Sequence, residues 1–328
     1  MRDVITAVVV TYNRKHLLLE CLGALRSQTR RPDRIVILDN ACTDGTRDLL
    51  LAHGVLDEPD VDYIRLEINE GAAGGFYWGI RYAYDQGADW IWVMDDDVEP
   101  EPEALARLEA HTGLPSLGFL SSLVIGRDGE TPMNTPIIDT GSADGLYPSW
   151  GIRLGEGLVK VSRATFISTL VSRAAVTRCG FPNRRFYIWG DDFEYTERIR
   201  RAGFDGWLVG RSRVLHKRTE MRQLSLLTEP DPVRMKMFRY LYRNITWTAL
   251  HYNGKRSVGR TLRLRFNQAL RILAKAPDQR LRRLSILVRG TYQAFVSPLH
   301  NEEGWELSAV AAEIRPAVSD SVEDRQYA

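Results

Sequence analysis

Three consecutive carboxylates, Asp95-Asp96-Asp97, close the apolar and aromatic run at residues 90–94. A run of this kind is typical of a strand buried in a parallel sheet, where three adjacent negative charges would be costly. A divalent cation would remove that cost, since carboxylate oxygens are ligands that Mg2+ and Mn2+ prefer. On a strand, Asp95 and Asp97 would point to the same side. The triplet therefore indicates a hard-metal site, with a solvated acidic turn as the alternative.

The elements that must position these acids alternate along the first part of the chain. Strands are predicted at residues 4–10, 34–38, 63–66 and 90–94, and helices at 15–28, 44–52 and 75–86. This alternation predicts an α/β fold with a mostly parallel sheet flanked by helices. Ligands of such sheets bind at the carboxyl ends of the strands. Three polar clusters fall at such ends: Thr11-Tyr12-Asn13, Asp39-Asn40 and Asp95-Asp96-Asp97.

Two loops carry further candidates for binding a nucleotide or a phosphate. Asp39 can accept hydrogen bonds from a ribose or from a base N–H group, although its neighbours are also ordinary turn residues. Asn69 begins a segment of small residues, including Gly74 and Gly75, that leads into a predicted helix. Small residues let a ligand approach the backbone, and a helix N-terminus favours phosphate. Neither a G-x-G-x-x-G after the first strand nor a G-x-x-x-x-G-K-[ST] occurs, which argues against dinucleotide and P-loop classes.

A second acidic pair, Asp191-Asp192, opens a helix predicted to run through residue 198. These carboxylates are either helix-capping groups or, beside a substrate hydroxyl, a general base. His216 follows a predicted strand at residues 207–215, and a metal held by Asp95 and Asp97 would need such a further protein ligand. The aromatic neighbours of the acidic pair suit either stacking on a sugar ring or packing in the core: Tyr187, Trp189 and Phe193.

Composition narrows the class of protein. The net charge of +2 argues against a protein whose whole surface binds polyanions. Cys21, Cys42 and Cys179 are scattered, without metal-site spacing or a disulfide framework, which favours a reducing cytosol. We expect no signal peptide at the N-terminus, and no apolar run reaches the length of a membrane span.

The C-terminal third is basic and has helical spacing. Residues 255–289 are rich in Arg and Lys, with Asp278 as their one acid. Such a basic amphipathic pattern suits an anionic membrane surface, and the alternative is a helical subdomain that packs its apolar stripes on the core. No nucleic-acid-binding motif accompanies the charge. The two apolar stripes are Val258, Leu262, Phe266, Leu270 and Leu273, and then Leu281, Leu284, Val288, Tyr292 and Phe295.

These motifs together resemble those of a known family. From residue 4 to about residue 220 the chain resembles family 2 glycosyltransferases of the type A fold, through Val8-Val9-Val10-Thr11-Tyr12-Asn13-Arg14, Asp39-Asn40, Thr43-Asp44-Gly45-Thr46, the triple Asp and Gly190-Asp191-Asp192. It resembles the bacterial galactofuranosyltransferase and rhamnosyltransferase branch through Asn69 with Gly74-Gly75-Phe76, Trp189-Gly190-Asp191-Asp192-Phe193-Glu194, His216 and Tyr242-Arg243-Asn244.

The resemblance implies roles for these residues. Asp192 would be the catalytic base and Asp191 would support the acceptor, while Asp95, Asp97 and His216 would hold Mn2+ or Mg2+. The donor nucleotide, its diphosphate or its sugar would lie along the remaining motif residues: Thr11, Tyr12, Asn13, Arg14, Asp39, Asn40, Asn69, Gly74, Gly75, Asp96 and Trp189.

The resemblance also implies an activity and a domain plan. We expect an inverting, metal-dependent transferase, peripherally associated with the cytoplasmic face of the cell membrane, that moves galactofuranose from UDP-galactofuranose to a lipid-linked glycan. Rhamnosyl transfer from dTDP-rhamnose is the alternative, and a non-catalytic glycan-binding protein or a nucleotidyltransferase is the alternative of another class. Homo-oligomerisation stays open. The expected parts are a catalytic domain at 1–230, a basic helical region at 231–307 and a polar tail at 308–328.

Overall fold

The computed structural model describes residues 2–141, 146–218, 223–254, 256–297 and 299. Its strands are β1 (Ile5–Thr11), β2 (Arg34–Asp39), β3 (Val61–Arg65), β4 (Trp90–Asp95), β5 (Val98–Pro100), β6 (Leu117–Ile125), β7 (Ile137–Ile138), β8 (Leu158–Arg163), β9 (Thr169–Ser172) and β10 (Asp205–His216). Its α-helices are α1 (Lys15–Arg26), α2 (Thr46–Ala52), α3 (Gly71–Asp85), α4 (Ala104–Glu109), α5 (Arg173–Cys179), α6 (Asp191–Arg201), α7 (Pro232–Asn253), α8 (Arg256–Lys275) and α9 (Arg280–Val296). The predicted polar tail at 308–328 lies outside the described residues, and the predicted domain limits remain predictions.

The described strands form one mixed sheet in the order β3-β2-β1-β4-β9-β6-β10-β8-β7, with β5 paired to β10. Strands β3, β2, β1 and β4 are mutually parallel. Beyond β4, β9 is antiparallel to both of its neighbours, and β10 is parallel to β6 but antiparallel to β8. The predicted α/β class with helices flanking the sheet is confirmed, and its continuous parallel part is formed by β1 to β4.

The core lies on both faces of the sheet because helices cover both. All seven residues of β1 are buried. Ile5, Ala7 and Val9 pack with the apolar side of α1, while Val8 and Val10 pack with α3 on the opposite face. This alternation aligns the carboxyl ends of β1, β2 and β4 along one edge, since the register pairs Thr11 with Asp39 and Val10 with Asp95.

Helix α3 begins at Gly71, four residues before the predicted start, so Gly74 and Gly75 lie inside the helix rather than in a loop before it. Both glycines are buried. A Cβ at Gly75 would lie 2.4 Å from a methyl of Val10, and one at Gly79 would lie 2.4 Å from a methyl of Val8. Gly75 and Gly79 therefore allow close packing of the helix on the sheet. The predicted loop at Gly74 and Gly75 is corrected to a helix, and their contact with the donor stays a prediction.

Helices α7, α8 and α9 pack on one another at the C-terminal end of the described chain. Their shared core includes Met235, Phe238, Ile272 and Leu287, with Trp189 packed against it. The inward side of α8 is largely small or polar, while most residues of the two predicted apolar stripes point outward. Exposed stripe residues are Leu262, Phe266, Leu270, Leu273, Leu281, Val288, Tyr292 and Phe295. The alternative that these stripes pack on the core is therefore wrong for most of their length. Among the described residues, no helix has the length and apolar character needed to cross a bilayer.

Replacing Gly75 with alanine should destabilise the fold. The new Cβ would meet Val10 at 2.4 Å and Leu38 at 3.2 Å, and overpacking of this kind costs about 1–3 kcal/mol. Gly23→Ala in α1 is the matched control, because nothing lies within 4 Å of its Cβ and alanine gains about 1 kcal/mol over glycine in a helix. The free energy of unfolding measured in urea should be higher for Gly23→Ala than for Gly75→Ala. Equal or greater stability of Gly75→Ala would contradict the packing role.

Candidate active site

The acids at the end of β4 are held by side chains that follow β1. Thr11 donates its hydroxyl hydrogen to Asp96 Oδ2 at 2.8 Å. Arg14 Nη1 donates to Asp96 Oδ1 at 3.2 Å and to Asp97 Oδ2 at 2.9 Å. Both residues were expected to bind the nucleotide, and in the structure their contacts are to the acidic cluster.

The expected geometry of the acidic triplet is corrected in one respect. Strand β4 ends at Asp95, and Asp96 and Asp97 form a turn before β5. Strand alternation therefore does not relate Asp95 to Asp97. Because β5 pairs with β10, Val98 lies opposite His216, and the backbone N–H of Lys217 donates to the Asp97 carbonyl at 2.8 Å. This pairing brings Asp97 and His216 together.

Asp97 and His216 face one another across the pairing of β5 with β10. His216 Nε2 lies 3.3 Å from Asp97 Oδ1, and this buried oxygen has no hydrogen-bond partner. His216 Nδ1 lies 3.1 Å from the side-chain oxygen of Asn134, which accepts the Nδ1 hydrogen and so directs Nε2 of the ring towards Asp97. Asn134 is thus a residue of this site that the sequence did not indicate. A carboxylate oxygen and an imidazole nitrogen in this arrangement are both atoms that can ligate one shared cation.

The charges around this pair favour a cation. Burial raises the pKa of Asp97, but His216 and Arg14 outweigh it, so the pKa lies below its ordinary value and the group is ionised. Burial, with the charges of Asp97 and Asp96, raises the pKa of Asp95 well above its usual range. Within the described parts of the chain, no group of three or more His, Cys, Asp or Glu side chains is arranged to hold a metal. Two protein ligands nevertheless suit Mg2+, which usually combines one or two carboxylates with substrate phosphates.

Asp39 and Asn40 lie beneath the surface of the site. Asp39 is 0% exposed, and its carboxylate accepts the Cys42 N–H at 2.6 Å and the Tyr63 hydroxyl. The amide of Asn40 donates to the Gly71 carbonyl at 2.8 Å and accepts the Glu70 N–H at 2.9 Å. Both side chains therefore brace the loops at this edge, and a role in binding the nucleotide stays a prediction.

The outer part of the same edge is formed by Tyr12, Asn13 and Asn69. Tyr12 is exposed. Asn13, with a φ of +54°, accepts the Thr43 N–H at 2.7 Å and joins the loops after β1 and β2. Asn69 accepts the Gly71 N–H at 2.7 Å at the start of α3. These residues lie at the expected edge of the sheet, and their contacts with a nucleotide remain predictions.

The second acidic pair opens α6 behind a loop of unusual backbone. Tyr187, Trp189 and Gly190 have φ values of +64°, +61° and +90°, a region that is unfavourable for the two aromatic residues. Asp191 is buried and Asp192 is half-buried. Burial raises the pKa of Asp192 to about 6, and burial together with the charge of Asp192 raises the pKa of Asp191 well above its usual range.

Helix α7 holds this loop in place. The buried Asn244 side chain donates to the carbonyls of Phe186, Ile188 and Trp189 at 2.9, 3.1 and 2.8 Å. Arg243 Nη2 donates to the carbonyls of Arg185 and Phe186 at 2.7 and 2.9 Å. Tyr242-Arg243-Asn244 carried part of the sequence resemblance, but only the tertiary structure shows that these bonds position the acidic pair.

The two acidic groups belong to one site. The charge of Asp191 is among those that raise the pKa of Asp95, and the Tyr187 carbonyl accepts the Ala73 N–H of α3 at 3.1 Å. Trp189 packs on Phe238 of α7, with ring centroids 5.1 Å apart, and its expected place near the donor stays a prediction. The arrangement unites a potential cation site and a buried carboxylate pair, which suits chemistry on a phosphate ester beside a hydroxyl nucleophile.

Comparisons with known proteins agree with this geometry. Residues 6–145 match the model of glycosyl transferase family 2. Over 209 residues the chain is 32% identical to galactofuranosyltransferase GlfT1 of Mycobacterium tuberculosis, covering 62% of this chain and 66% of that protein. It is 31% identical to GlfT1 of Mycolicibacterium smegmatis, covering 61% of this chain and 67% of that protein. It is 27% identical to the N-acetylglucosaminyl-diphospho-decaprenol L-rhamnosyltransferase of M. tuberculosis, covering 66% of this chain and 76% of that protein.

Solved structures share the fold at low sequence identity. GalNAc-T7 with UDP, GalNAc and Mn2+ has a TM-score of 0.54 at 19% identity, over 74% of this chain and 50% of that chain. The mannosyltransferase PcManGT of Pyrobaculum calidifontis, in complex with GDP-Man and Mn2+, has a TM-score of 0.52 at 16% identity, over 91% and 76%. The motifs, the sheet topology and these similarities lead to one conclusion: the chain belongs to glycosyl transferase family 2.

Proposed function

We propose that this chain is an inverting, metal-dependent glycosyltransferase that transfers a sugar from a nucleotide-sugar donor to a lipid-linked glycan. The observation that carries the proposal is the Asp97–His216 pair in the turn after Asp95, with Asp191 near enough for its charge to act on Asp95. UDP-galactofuranose is the proposed donor, because the two GlfT1 relatives are named galactofuranosyltransferases. The rhamnosyltransferase relative supports dTDP-rhamnose as the second candidate.

The donor side of the site rests on Asp97 and His216, which would hold Mn2+ or Mg2+. When bound, the cation would neutralise negative charge on the departing nucleoside diphosphate. Arg14 keeps Asp97 oriented through its Oδ2, which leaves Oδ1 free to ligate. Asn134 holds the His216 ring in the orientation that directs Nε2 towards Asp97.

The acceptor side rests on Asp192. A base is most effective when its pKa is near the working pH, and burial raises that of Asp192 to about 6. In the proposed step, the acceptor hydroxyl oxygen bonds to the anomeric carbon while the bond from that carbon to the phosphate oxygen breaks. The hydroxyl proton passes to Asp192, and the nucleoside diphosphate leaves from the opposite face, which inverts the anomeric centre.

The outward surface of α8 and α9 supports peripheral binding to an anionic membrane. Phe266 is 63% exposed and Tyr292 is 64% exposed, although the inward side of α8 buries Thr261 and Arg265. An apolar face turned to the outside, flanked by cations, suits a lipid interface. The flanking exposed cations are Arg260, Arg263, Arg271, Lys275, Arg282 and Arg289. Cys21, Cys42 and Cys179 are all free thiols, which favours the cytoplasmic face.

The activity is tested with a panel of donors in Mn2+, with an EDTA control, by following nucleoside diphosphate release. Crude lipid-linked acceptor is added to UDP-galactofuranose, UDP-galactopyranose, UDP-glucose or dTDP-rhamnose. One donor should turn over, and kcat/KM should fall as the pH drops below about 6, because protonated Asp192 cannot accept a proton. Asp192→Asn should lower kcat about 10²–10⁴-fold, the usual contribution of a general base.

Unchanged UDP binding by Asp192→Asn is the control that its fold and donor site survive. Full turnover by this variant would remove Asp192 as the base. Turnover of no donor, with UDP still bound, would favour a non-catalytic binding protein. Pyrophosphate release from a nucleoside triphosphate would favour a nucleotidyltransferase.

Metal binding should depend on Asp97 because its Oδ1 is a proposed ligand. Loss of an outer-shell partner typically weakens metal binding 10–100-fold, and Asp97→Asn should lose at least as much. Electron paramagnetic resonance of free Mn2+, measured with UDP present, gives the affinity. Glu67→Gln, an exposed acid, is the matched control and should bind as wild type does. Equal affinity of Asp97→Asn and wild type would rule out this ligand.

Membrane binding should depend on the outward face of α8. Phe266→Ser with Leu270→Ser removes two exposed apolar groups one turn apart and should lower the fraction that floats with anionic vesicles at least several-fold. Leu51→Ser, an exposed leucine on α2, controls for general loss of apolar surface. Equal flotation of the double variant and the control would contradict this face as the anchor.

A further inference from the structure

Two arginines one turn apart on α7 stack on the same tyrosine. The guanidinium carbons of Arg239 and Arg243 lie 4.9 Å and 5.0 Å from the ring centroid of Tyr240, and Arg239 Nη2 donates to the Tyr240 hydroxyl at 3.2 Å. Like charges at this helical spacing repel one another and weaken a helix. The arrangement therefore needs a reason beyond helix stability.

No acid in the described part of the chain neutralises the two guanidinium groups. Arg234, one turn earlier, pairs with Glu229 at 3.1 Å, whereas no described carboxylate lies within 4 Å of Arg239 or Arg243. The Nε of Arg239 is buried without a hydrogen-bond partner. Burial and the charge of Arg239 lower the pKa of Arg243 to about 10. Arg243 gives Nε and Nη2 to Asn244 and to two loop carbonyls, so the donors still available in this half-buried cationic site are its Nη1 and the remaining N–H groups of Arg239.

The cluster adjoins the loop that carries the acidic pair. The ring centroids of Tyr240 and Tyr187 lie 4.8 Å apart, and Tyr187 precedes Asp191 by four residues. The same helix packs on α8 and α9, whose outward side is the proposed membrane face. A ligand bound here would lie between the membrane-facing helices and the proposed catalytic base.

We infer that Arg239, Arg243 and the Tyr240 hydroxyl bind the phosphate or diphosphate that joins the acceptor glycan to its polyprenyl chain. The inference rests on the proposed function and gives its acceptor a recognised chemical group. Guanidinium groups bind phosphate oxygens through paired N–H donors. The donor diphosphate has its own proposed place at Asp97 and His216, whereas α7 supports the acceptor side through Asn244.

The test is calorimetric titration of farnesyl diphosphate, a short polyprenyl diphosphate, into the full chain. EDTA is present so that no cation can hold the probe at Asp97 and His216. Arg239→Gln should weaken binding about 10-fold or more, since a hydrogen bond to a charged group contributes about 1.5–3 kcal/mol. Lys236→Gln removes the same charge from an exposed position on the same helix and should bind within about two-fold of wild type, a bound that follows from screening at the surface.

Further titrations distinguish the proposed acceptor site from the donor site and from binding of the isoprenoid chain alone. They also include a variant that keeps the packing of the ring. Tyr240→Phe keeps the ring and removes only the hydroxyl, and a several-fold loss is expected. In a parallel titration with saturating UDP and Mg2+, the probe should still bind, while farnesol should bind weakly and equally to all variants. Wild-type affinity in Arg239→Gln, an equal loss in Lys236→Gln, or displacement of the probe by UDP would each overturn the inference. Because binding is measured without turnover, this result and a failure of sugar transfer are separate outcomes.

Discussion

Repulsion among carboxylates at the end of β4 is the constraint on which the rest of the site depends. Asp95, Asp96 and Asp97 lie side by side in a largely buried turn, and Asp191 adds a fourth negative group nearby. Arg14 offsets part of this charge, as does Thr11 through its hydroxyl. Burial, together with the remaining repulsion, raises the pKa values of Asp95 and Asp96. A bound cation would complete the balance, which couples the stability of this turn to the binding of a metal and a phosphate-bearing donor.

A second dependence joins the acceptor side of the site to the C-terminal helices. The loop before Asp191 adopts left-handed backbone at two aromatic residues, a conformation that persists only when its surroundings hold it. Asn244 and Arg243 supply five hydrogen bonds to its carbonyls. The C-terminal helices are therefore part of the site's framework. Helix α7 contacts both the helices that carry the proposed membrane face and the loop that precedes the proposed base.

Much of this chain was predictable from local sequence. Residues at the ends of β1, β2 and β4 come together because parallel strands align their carboxyl ends, so Thr11, Asp39 and Asp95 had to share one edge. The apolar stripes of α8 and α9 followed from their spacing, whereas their mostly outward direction was one of two alternatives that the sequence left open. The predicted start of α3 was late by four residues, because a run of glycines is locally a loop signal and only contact with Val10 and Leu38 makes it a packing surface.

The sequence by itself determined the α/β class, the edge of the sheet that carries the site and the acidic residues that could do chemistry, because periodicity and residue type are local properties. Only the tertiary structure decided which of these residues meet. The pairing of β5 with β10 brought Asp97 to His216, and Asn134 oriented that ring from a distant loop. The burial of Asp39, the bonds from Asn244 and the packing of Tyr240 on Tyr187 likewise depend on contacts between residues far apart in the chain, which no local pattern encodes.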